Sequence, residues 1–345
     1  MSAAPLRTGA PDGQVTLRGA GAAFLTGLAC RTLRQVASVG SLRNRLSTLI
    51  YHRVLAQPDP LFPDEIDACR FEQQLGFLKA NYNIISLHEA VDGLRNNRLP
   101  PRAACITFDD GYADNAEVAL PLLQKHGVPA TVFVATGFLD GGRMWNDTVI
   151  ELVRHAPPRI DLSAAGLGAF ALDTVVQRRH AIATLLGALK YLPMDQRLQQ
   201  VDAIAALIPV KLRRDLMMTT AQVRQLHAAG IEIGGHTVNH PILARLPAAA
   251  ARREIAEGKQ TLEAMIGAPV RLFAYPNGIP GQDYGAEHAA MVRELGFEAA
   301  VSTSWGAARP GSDLFQLPRF TPWDRSRLRF SLRMLRNLAN NGEVV

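Results

Sequence analysis

Ala103-Ala104-Cys105-Ile106-Thr107-Phe108-Asp109-Asp110-Gly111-Tyr112 is the stretch on which the reading of the whole chain turns. Residues 103–108 are uncharged and nearly all apolar, a run with the length of a buried strand rather than a helix. Two adjacent carboxylates and a glycine follow at once. Asp-Asp-Gly is good turn chemistry, and it also leaves two acids at the end of a strand. Successive side chains of an extended backbone point to opposite faces. If the backbone stays extended, one carboxylate can hold a cation while its neighbour faces a substrate.

The surrounding sequence repeats the same alternation. Residues 47–51 read as a strand, 71–81 as a helix with Phe71, Leu75 and Leu78 on one face, and 84–87 as a short strand. A helix over 115–126 stops at Gly127, and 130–134 is a strand. Further on, helices over 220–229 and 247–266 end at Gly230 and Gly267, and each leads to a strand, at 231–234 and 270–274. A helix over 286–295 and a strand over 298–301 complete the series. This α/β pattern predicts a parallel sheet, open or closed as a barrel. Between about 143 and 216 the alternation stops. Helical segments at 175–192 and 196–207 with little strand signal read as a helical insertion in one strand-to-helix loop, at the face where barrels carry their sites.

Bulk composition sets the class. The chain has 345 residues, 48% of them hydrophobic and 20% charged, enough for a buried core and typical of a soluble enzyme. The formal charge of +6 comes from scattered basic residues, with a local excess at Arg325, Arg327, Arg329, Arg333 and Arg336. No basic stripe carries interleaved aromatics, so no nucleic-acid partner is expected, while peripheral membrane contact of the Arg-rich end stays open. Cys30, Cys69 and Cys105 show no metal or disulfide spacing. The apolar run 19–30 is too short to span a bilayer. With Arg31 and Arg34 directly after it, it reads as an amphipathic, interfacial helix rather than a cleaved signal. A cytoplasmic or membrane-associated location is therefore expected over a secreted one. Oligomeric state cannot be read from the sequence.

Three further segments join Asp109-Asp110 at strand ends. His236-Thr237-Val238-Asn239-His240-Pro241 follows the strand 231–234. Two histidines four apart share a face if the chain turns helical. With a carboxylate they form a three-ligand site with an open position, as catalytic zinc or a similar divalent ion requires. Arg271-Leu272-Phe273-Ala274-Tyr275-Pro276-Asn277-Gly278 runs from a strand into a sharp turn that can present backbone N–H groups to an oxyanion. Tyr51-His52-Arg53 closes the first strand. Each segment alone reads as readily as a turn, a surface pair or a structural histidine. Strand C-terminal ends of a parallel sheet, however, converge on one face.

In this order, Thr-Phe-Asp-Asp-Gly-Tyr, His-Thr-x-x-His-Pro and Arg-x-Phe-Ala-Tyr-Pro-x-Gly resemble the polysaccharide deacetylase (NodB-homology) family, carbohydrate esterase family 4, over roughly 47–322 apart from the insertion. The resemblance implies a distorted, incomplete (β/α) barrel and hydrolytic N-deacetylation of an N-acetylated glycan, in cell-surface or exopolysaccharide metabolism. It implies Asp110, His236 and His240 as ligands of a divalent metal, with zinc the first choice. It also implies Asp109 as general base, Arg271 as the residue orienting that base, and the backbone N–H of Tyr275 as oxyanion donor. The family's C-terminal Leu-x-His is absent, since Leu317-Pro318-Arg319-Phe320 stands there. Tyr51-His52 instead resembles the branch of poly-N-acetylglucosamine deacetylases, which implies His52 as general acid. The domain plan is then an N-terminal extension over 1–45, a deacetylase domain over 46–322 and an Arg-rich tail over 323–345. Trp145 in the insertion either stacks on a sugar ring or serves as a core residue of the insertion. Rival functions are a non-catalytic glycan-binding module, which acetate release would exclude, and deacylation of another amide or an O-acetyl ester.

Overall fold

A computed structural model describes residues 44–345. In chain order the elements are β1 (Leu46–Tyr51), α1 (Ala68–Asn81), β2 (Asn83–Ile84), α2 (Leu87–Arg95), β3 (Ala103–Phe108), α3 (Leu120–His126) and β4 (Thr131–Val134). The insertion follows with α4 (Trp145–His155), β5 (Arg159–Asp161), β6 (Ala169–Ala171), α5 (Val175–Leu189) and α6 (Met194–Leu207). The chain then resumes as α7 (Thr220–Ala228), β7 (Glu232–Gly235), α8 (Ala248–Ile266), β8 (Leu272–Ala274), α9 (Ala286–Glu294), β9 (Ala299–Val301) and α10 (Arg327–Ala339).

The main sheet is seven-stranded and parallel, in the order β1-β3-β4-β7-β8-β9, with β2 beside the start of β3. It curls into the expected incomplete barrel. The gap between β9 and β1 is closed by the irregular segment 314–320: Leu317 N–H donates to Ala300 O at 2.9 Å, and Phe320 N–H to Thr48 O at 3.0 Å. Strand alternation sorts the side chains. Ala103, Cys105, Phe133, Ala274, Val301 and Leu317 fill the interior, where α2 adds Leu87, Val91 and Leu94. Their neighbours Ile106, Phe108, Val132 and Phe273 face the outer helices. The interior tolerates Phe133 only because β7 carries Gly234, where a Cβ would lie 2.3 Å from the Phe133 ring.

Three departures from the sequence reading have local causes. The stretch 84–87 is strand only at Asn83–Ile84, because Ser86 caps α2 in a capping box with Glu89. The insertion includes a small antiparallel hairpin, β5–β6, and it buries its own core around Val149, Leu152, Ile160, Leu185 and Ile204. The stretch read as an Arg-rich tail contains α10, which buries Phe330 and Met334 against the barrel's outer core. Trp145 is partly buried and packs against the insertion core under the Arg197 guanidinium, 5.0 Å from its ring centre. Residues 1–43 of the expected extension over 1–45, with the interfacial helix expected at the apolar run 19–30, lie outside the described residues.

Candidate metal centre and active site

Asp109 and Asp110 reach the same cavity although they are adjacent. Asp109 continues the inward alternation of β3, and its N–H still pairs with Tyr51 O at 2.9 Å. Asp110 then adopts φ +76°, a left-handed conformation that ends the extended run and turns its carboxylate to the same side. Asp tolerates this region better than most residues do.

The two histidines do not share a helical turn, as the spacing had suggested. They sit on a loop in which Thr237 (φ +65°) and His240 (φ +51°) are both left-handed. For a β-branched threonine that is a strained state. The Thr237 hydroxyl donates to His236 O at 2.5 Å and accepts from His240 N–H at 3.1 Å, stapling the turn. From α8, one Glu254 carboxylate oxygen accepts the N–H groups of Val238 and Asn239 at 3.0 and 2.8 Å. The other accepts the Asn239 side-chain amide at 2.8 Å. Helix α8 approaches this closely because Gly258 has no Cβ; one there would lie 2.9 Å from the Thr237 carbonyl.

Three donor atoms converge. His236 Nε2 and His240 Nε2 each stand 3.4 Å from Asp110 Oδ1. His236 Nδ1 bonds Ala274 O at 2.7 Å, which fixes that nitrogen as the protonated one and leaves the Nε2 lone pair free to coordinate. Asp110 Oδ1 is buried and has no hydrogen-bond partner. An orphaned buried carboxylate oxygen facing two imidazole nitrogens fits a metal site. Donors about 2.1 Å from one ion at the tetrahedral angle stand roughly 3.4 Å apart, the spacing seen here. Burial pushes the His240 imidazole down to about 4, so it is neutral near pH 7, as a ligand must be. Burial would raise the Asp110 carboxyl, but the facing His240 and His236 outweigh it and hold it well below the usual carboxylate range.

Asp109 has a different partner from the one expected. Arg319, fully buried on the closing segment, grips it with two parallel bonds, Nη1 to Oδ1 and Nη2 to Oδ2, both 2.7 Å. The same guanidinium donates to Thr107 Oγ1 at 3.1 Å and to Ser302 O at 3.0 Å. Burial raises the Asp109 carboxyl, yet the Arg319 charge and then His236 bring it below the ordinary value. The assignment of Arg271 to this role is therefore corrected. Arg271 precedes β8 and so lies at the opposite rim of the barrel, half exposed, 3.4 Å from Glu298. Arg319 belongs to none of the sequence motifs, but its segment carries a signal of its own: an arginine between Leu317 and Phe320 in an apolar segment needs a buried acid.

Tyr275 also needs correction. Its N–H already donates to Val301 O at 3.2 Å as part of the ladder, and its hydroxyl donates to Phe315 O at 2.9 Å. From the turn that follows, Asn277 (φ +59°) lines the cavity instead. His52 lines the same cavity as Asp109, Asp110, His236 and His240, with its carbonyl anchored by Asn115 Nδ2 at 2.9 Å.

The cavity, of about 350 Å³, extends from these residues to the insertion. Its far wall holds Asp147 and Glu151 of α4, with Arg154 gripping Asp59 at 2.7 and 3.1 Å. Both Asp147 oxygens face the Tyr112 hydroxyl at 3.1 and 3.2 Å. Burial, with the Asp110 charge adding to it, pushes the Asp147 carboxyl up to about 7. Arg53 pairs with Asp114 at 2.8 Å and lies over the Tyr112 ring. Glu254 did not stand out in the sequence, since it is one of three acids, with Glu257 and Glu263, on an ordinary helix.

Known proteins resemble this chain in sequence and in fold. The chain is 22% identical over 277 residues to Bacillus subtilis YxkH, whose name places it among polysaccharide deacetylases; the match covers 80% of this chain and 70% of that one. It is 33% identical over 73 residues to the poly-β-1,6-N-acetyl-D-glucosamine N-deacetylase of Staphylococcus aureus, 21% of this chain and 25% of that one. The fold superposes on the Streptococcus pyogenes deacetylase PplD, solved with acetate, with a TM-score of 0.57 at 20% identity, over 86% of this chain and 99% of that one. The polysaccharide deacetylase family profile matches residues 96–160 and 195–300, passing over the middle of the insertion. The chain belongs to the polysaccharide deacetylase family, hydrolases of amide C–N bonds.

Proposed function

We propose that the protein removes acetyl groups from N-acetylated amino sugars of a glycan, with Asp110, His236 and His240 holding a divalent metal ion. The carrying observation is the orphaned Asp110 Oδ1, 3.4 Å from both Nε2 atoms and beside a second carboxylate held by a buried arginine. The name of the Staphylococcus aureus relative supports an N-acetylglucosamine polymer as substrate. An ion in this N,N,O set supplies a Lewis acid that polarises the acetamide carbonyl and lowers the pKa of water. Zinc fits the ligand set best.

The chain's own residues account for the proton transfers. Asp109 stays ionised beside Arg319 and takes a proton from the attacking water. Arg319 occupies both Asp109 oxygens on one side, so the carboxylate cannot rotate away. His52 donates a proton to the departing sugar amine as the C–N bond breaks, leaving acetate and a free amino sugar. Asp147 and Tyr112 form the polar wall against which the sugar lies.

Acetate release from N-acetylglucosamine oligomers tests this reading. Release should stop on chelation and return on adding zinc. Asp109→Asn should lower it by about 10²–10⁴ while bound metal, measured by elemental analysis, stays stoichiometric. His240→Ala should lose the metal itself. Full turnover in the presence of chelator would end the proposal.

A further inference from the structure

Helix α10 carries a surface that catalysis does not use. Its inward face buries Phe330, Met334 and Leu338, with Phe330 edge-on to Phe77 at 5.2 Å. On the opposite face stand Arg329, Leu332 and Arg336, spaced to lie together on one side of a helix. Leu332 is 52% exposed, and Trp323, just before the helix, is 59% exposed. Five arginines fall between 325 and 336, and no acid occurs between Asp324 and Glu343. Arg325 and Arg333 pair with Asp64 and Asp324. Arg327 and Arg329 are exposed and make no ion pair among the described residues.

Two placements give this surface a direction. Arg45, at the start of the described chain, donates to Asn341 Oδ1 at 2.9 Å and to Asn340 O at 3.3 Å. The described chain therefore begins beside the end of α10, and residues 1–43 precede it in sequence. Their sequence holds the apolar run 19–30 and arginines 7, 18, 31, 34 and 43 against a single acid, Asp12. At its other end, α10 borders the active-site groove: Arg325 reaches Pro63 O and Asp64, between the groove residues Phe62 and Glu65.

We propose that the outward face of α10, with Trp323 at its entry, docks the protein on an anionic phospholipid surface. Unpaired arginines meet lipid phosphates, Trp323 and Leu332 enter the headgroup layer, and the described chain begins next to the same helix. No helix of the described residues is long and apolar enough to cross a membrane. Stable interfacial binding takes two signals, and the sequence offers a second in the apolar run 19–30. The inference does not rest on the reading of the metal centre.

The test is co-sedimentation of the full-length protein with vesicles, either phosphatidylcholine alone or phosphatidylcholine mixed with phosphatidylglycerol. Binding should require phosphatidylglycerol and weaken as salt rises. Each interfacial arginine strengthens such binding about fivefold, so Arg329→Glu/Arg336→Glu should lower the partition coefficient by roughly 30-fold or more. Trp323→Ala should lower it less. Circular dichroism and turnover of a soluble oligomer should not change in either variant, since neither touches the site. Equal binding to both vesicle types, or full binding by the double variant, overturns the proposal. So does an absence of vesicle binding with a concentration-dependent dimer or retention on a polyanion, which would give this face to a second copy or to another partner.

Discussion

Replacing Arg319 separates two accounts of how the base is held. In Arg319→Ala the Asp109 carboxylate keeps its position, 2% exposed, but loses both 2.7 Å bonds. Removing one member of a buried ion pair costs about 3–5 kcal/mol because the other charge is left without solvent or partner. Ser302 O and Thr107 Oγ1 lose a donor as well. The protein can escape part of this cost by protonating Asp109, since burial is then opposed mainly by the histidines. That escape removes the base. Arg319→Ala should therefore lose both stability and turnover, the latter by the roughly 10²–10⁴ attributable to a general base. Arg319→Lys keeps the charge but cannot span both oxygens, and should fall between the two.

The assay pairs urea denaturation, read as a midpoint shift at constant slope, with acetate release. Arg271→Ala is the control. Its side chain is 49% exposed and stands 3.4 Å from Glu298, an exposed pair worth at most about 1 kcal/mol, so stability and turnover should hardly move. A cycle through Asp109→Asn should show coupling with Arg319 and none with Arg271. The reasoning is refuted if Arg319→Ala loses less than about 1 kcal/mol and releases acetate at the normal rate, or if Arg271→Ala shows the losses instead.

Three further outcomes are expected. Glu254→Ala frees the loop bearing both histidines and should weaken metal binding about 10- to 100-fold in chelator competition, as loss of a residue supporting metal ligands does; Glu254→Gln, which keeps one acceptor, should weaken it less. His52→Ala should slow acetate release by about 10²-fold or more with metal content intact, and wild-type turnover would move the general acid elsewhere. Asp147 is held at about 7 in the folded chain, so folding favours its protonated form: its stabilising contribution is complete below the unfolded value near pH 4 and is lost as pH rises through 7. The metal-free protein should thus lose up to about 4 kcal/mol between pH 4 and 8 on this account, and Asp147→Asn should remove most of that dependence in thermal melts.

The fold was legible because its strongest signals are local. An uncharged run such as 103–108 has strand length, and Gly127, Gly230 and Gly267 stop their helices as expected, all three with positive φ. Local signals failed where a tertiary contact decided. The closing segment 314–320 has no strand periodicity, since its pairing alternates between β9 on one side and β1 on the other. The start of α2 was hidden because Ser86 and Glu89 form a capping box after an apolar pair that reads as strand. The hairpin β5–β6 is three residues a side with only Ile160 fully buried, too short for alternation to register.

The site divides along the same line. Ligands placed by their own strand, Asp110 and His236, could be found by position, because a strand's C-terminal end fixes where the next residues go. The order of residues does not state backbone handedness. Asp110, His240 and Asn277 line this one cavity with positive φ, and Thr237, between the two histidines, shares it. That handedness lets two adjacent acids serve one centre and lets an HxxxH pair converge without a helix. Holding it costs of order 1–3 kcal/mol per strained residue, and restraints distant in sequence offset the cost: Glu254 on the 238–239 amides, Gly258 beneath Thr237, Thr303 Oγ1 on the Asn277 carbonyl. Arg319 belongs with these restraints. It lies 210 positions from Asp109 in the chain, so only barrel closure reveals the pair. A motif states which atoms can do the chemistry, whereas the residues that force those atoms together are recognisable only once the chain has closed on itself.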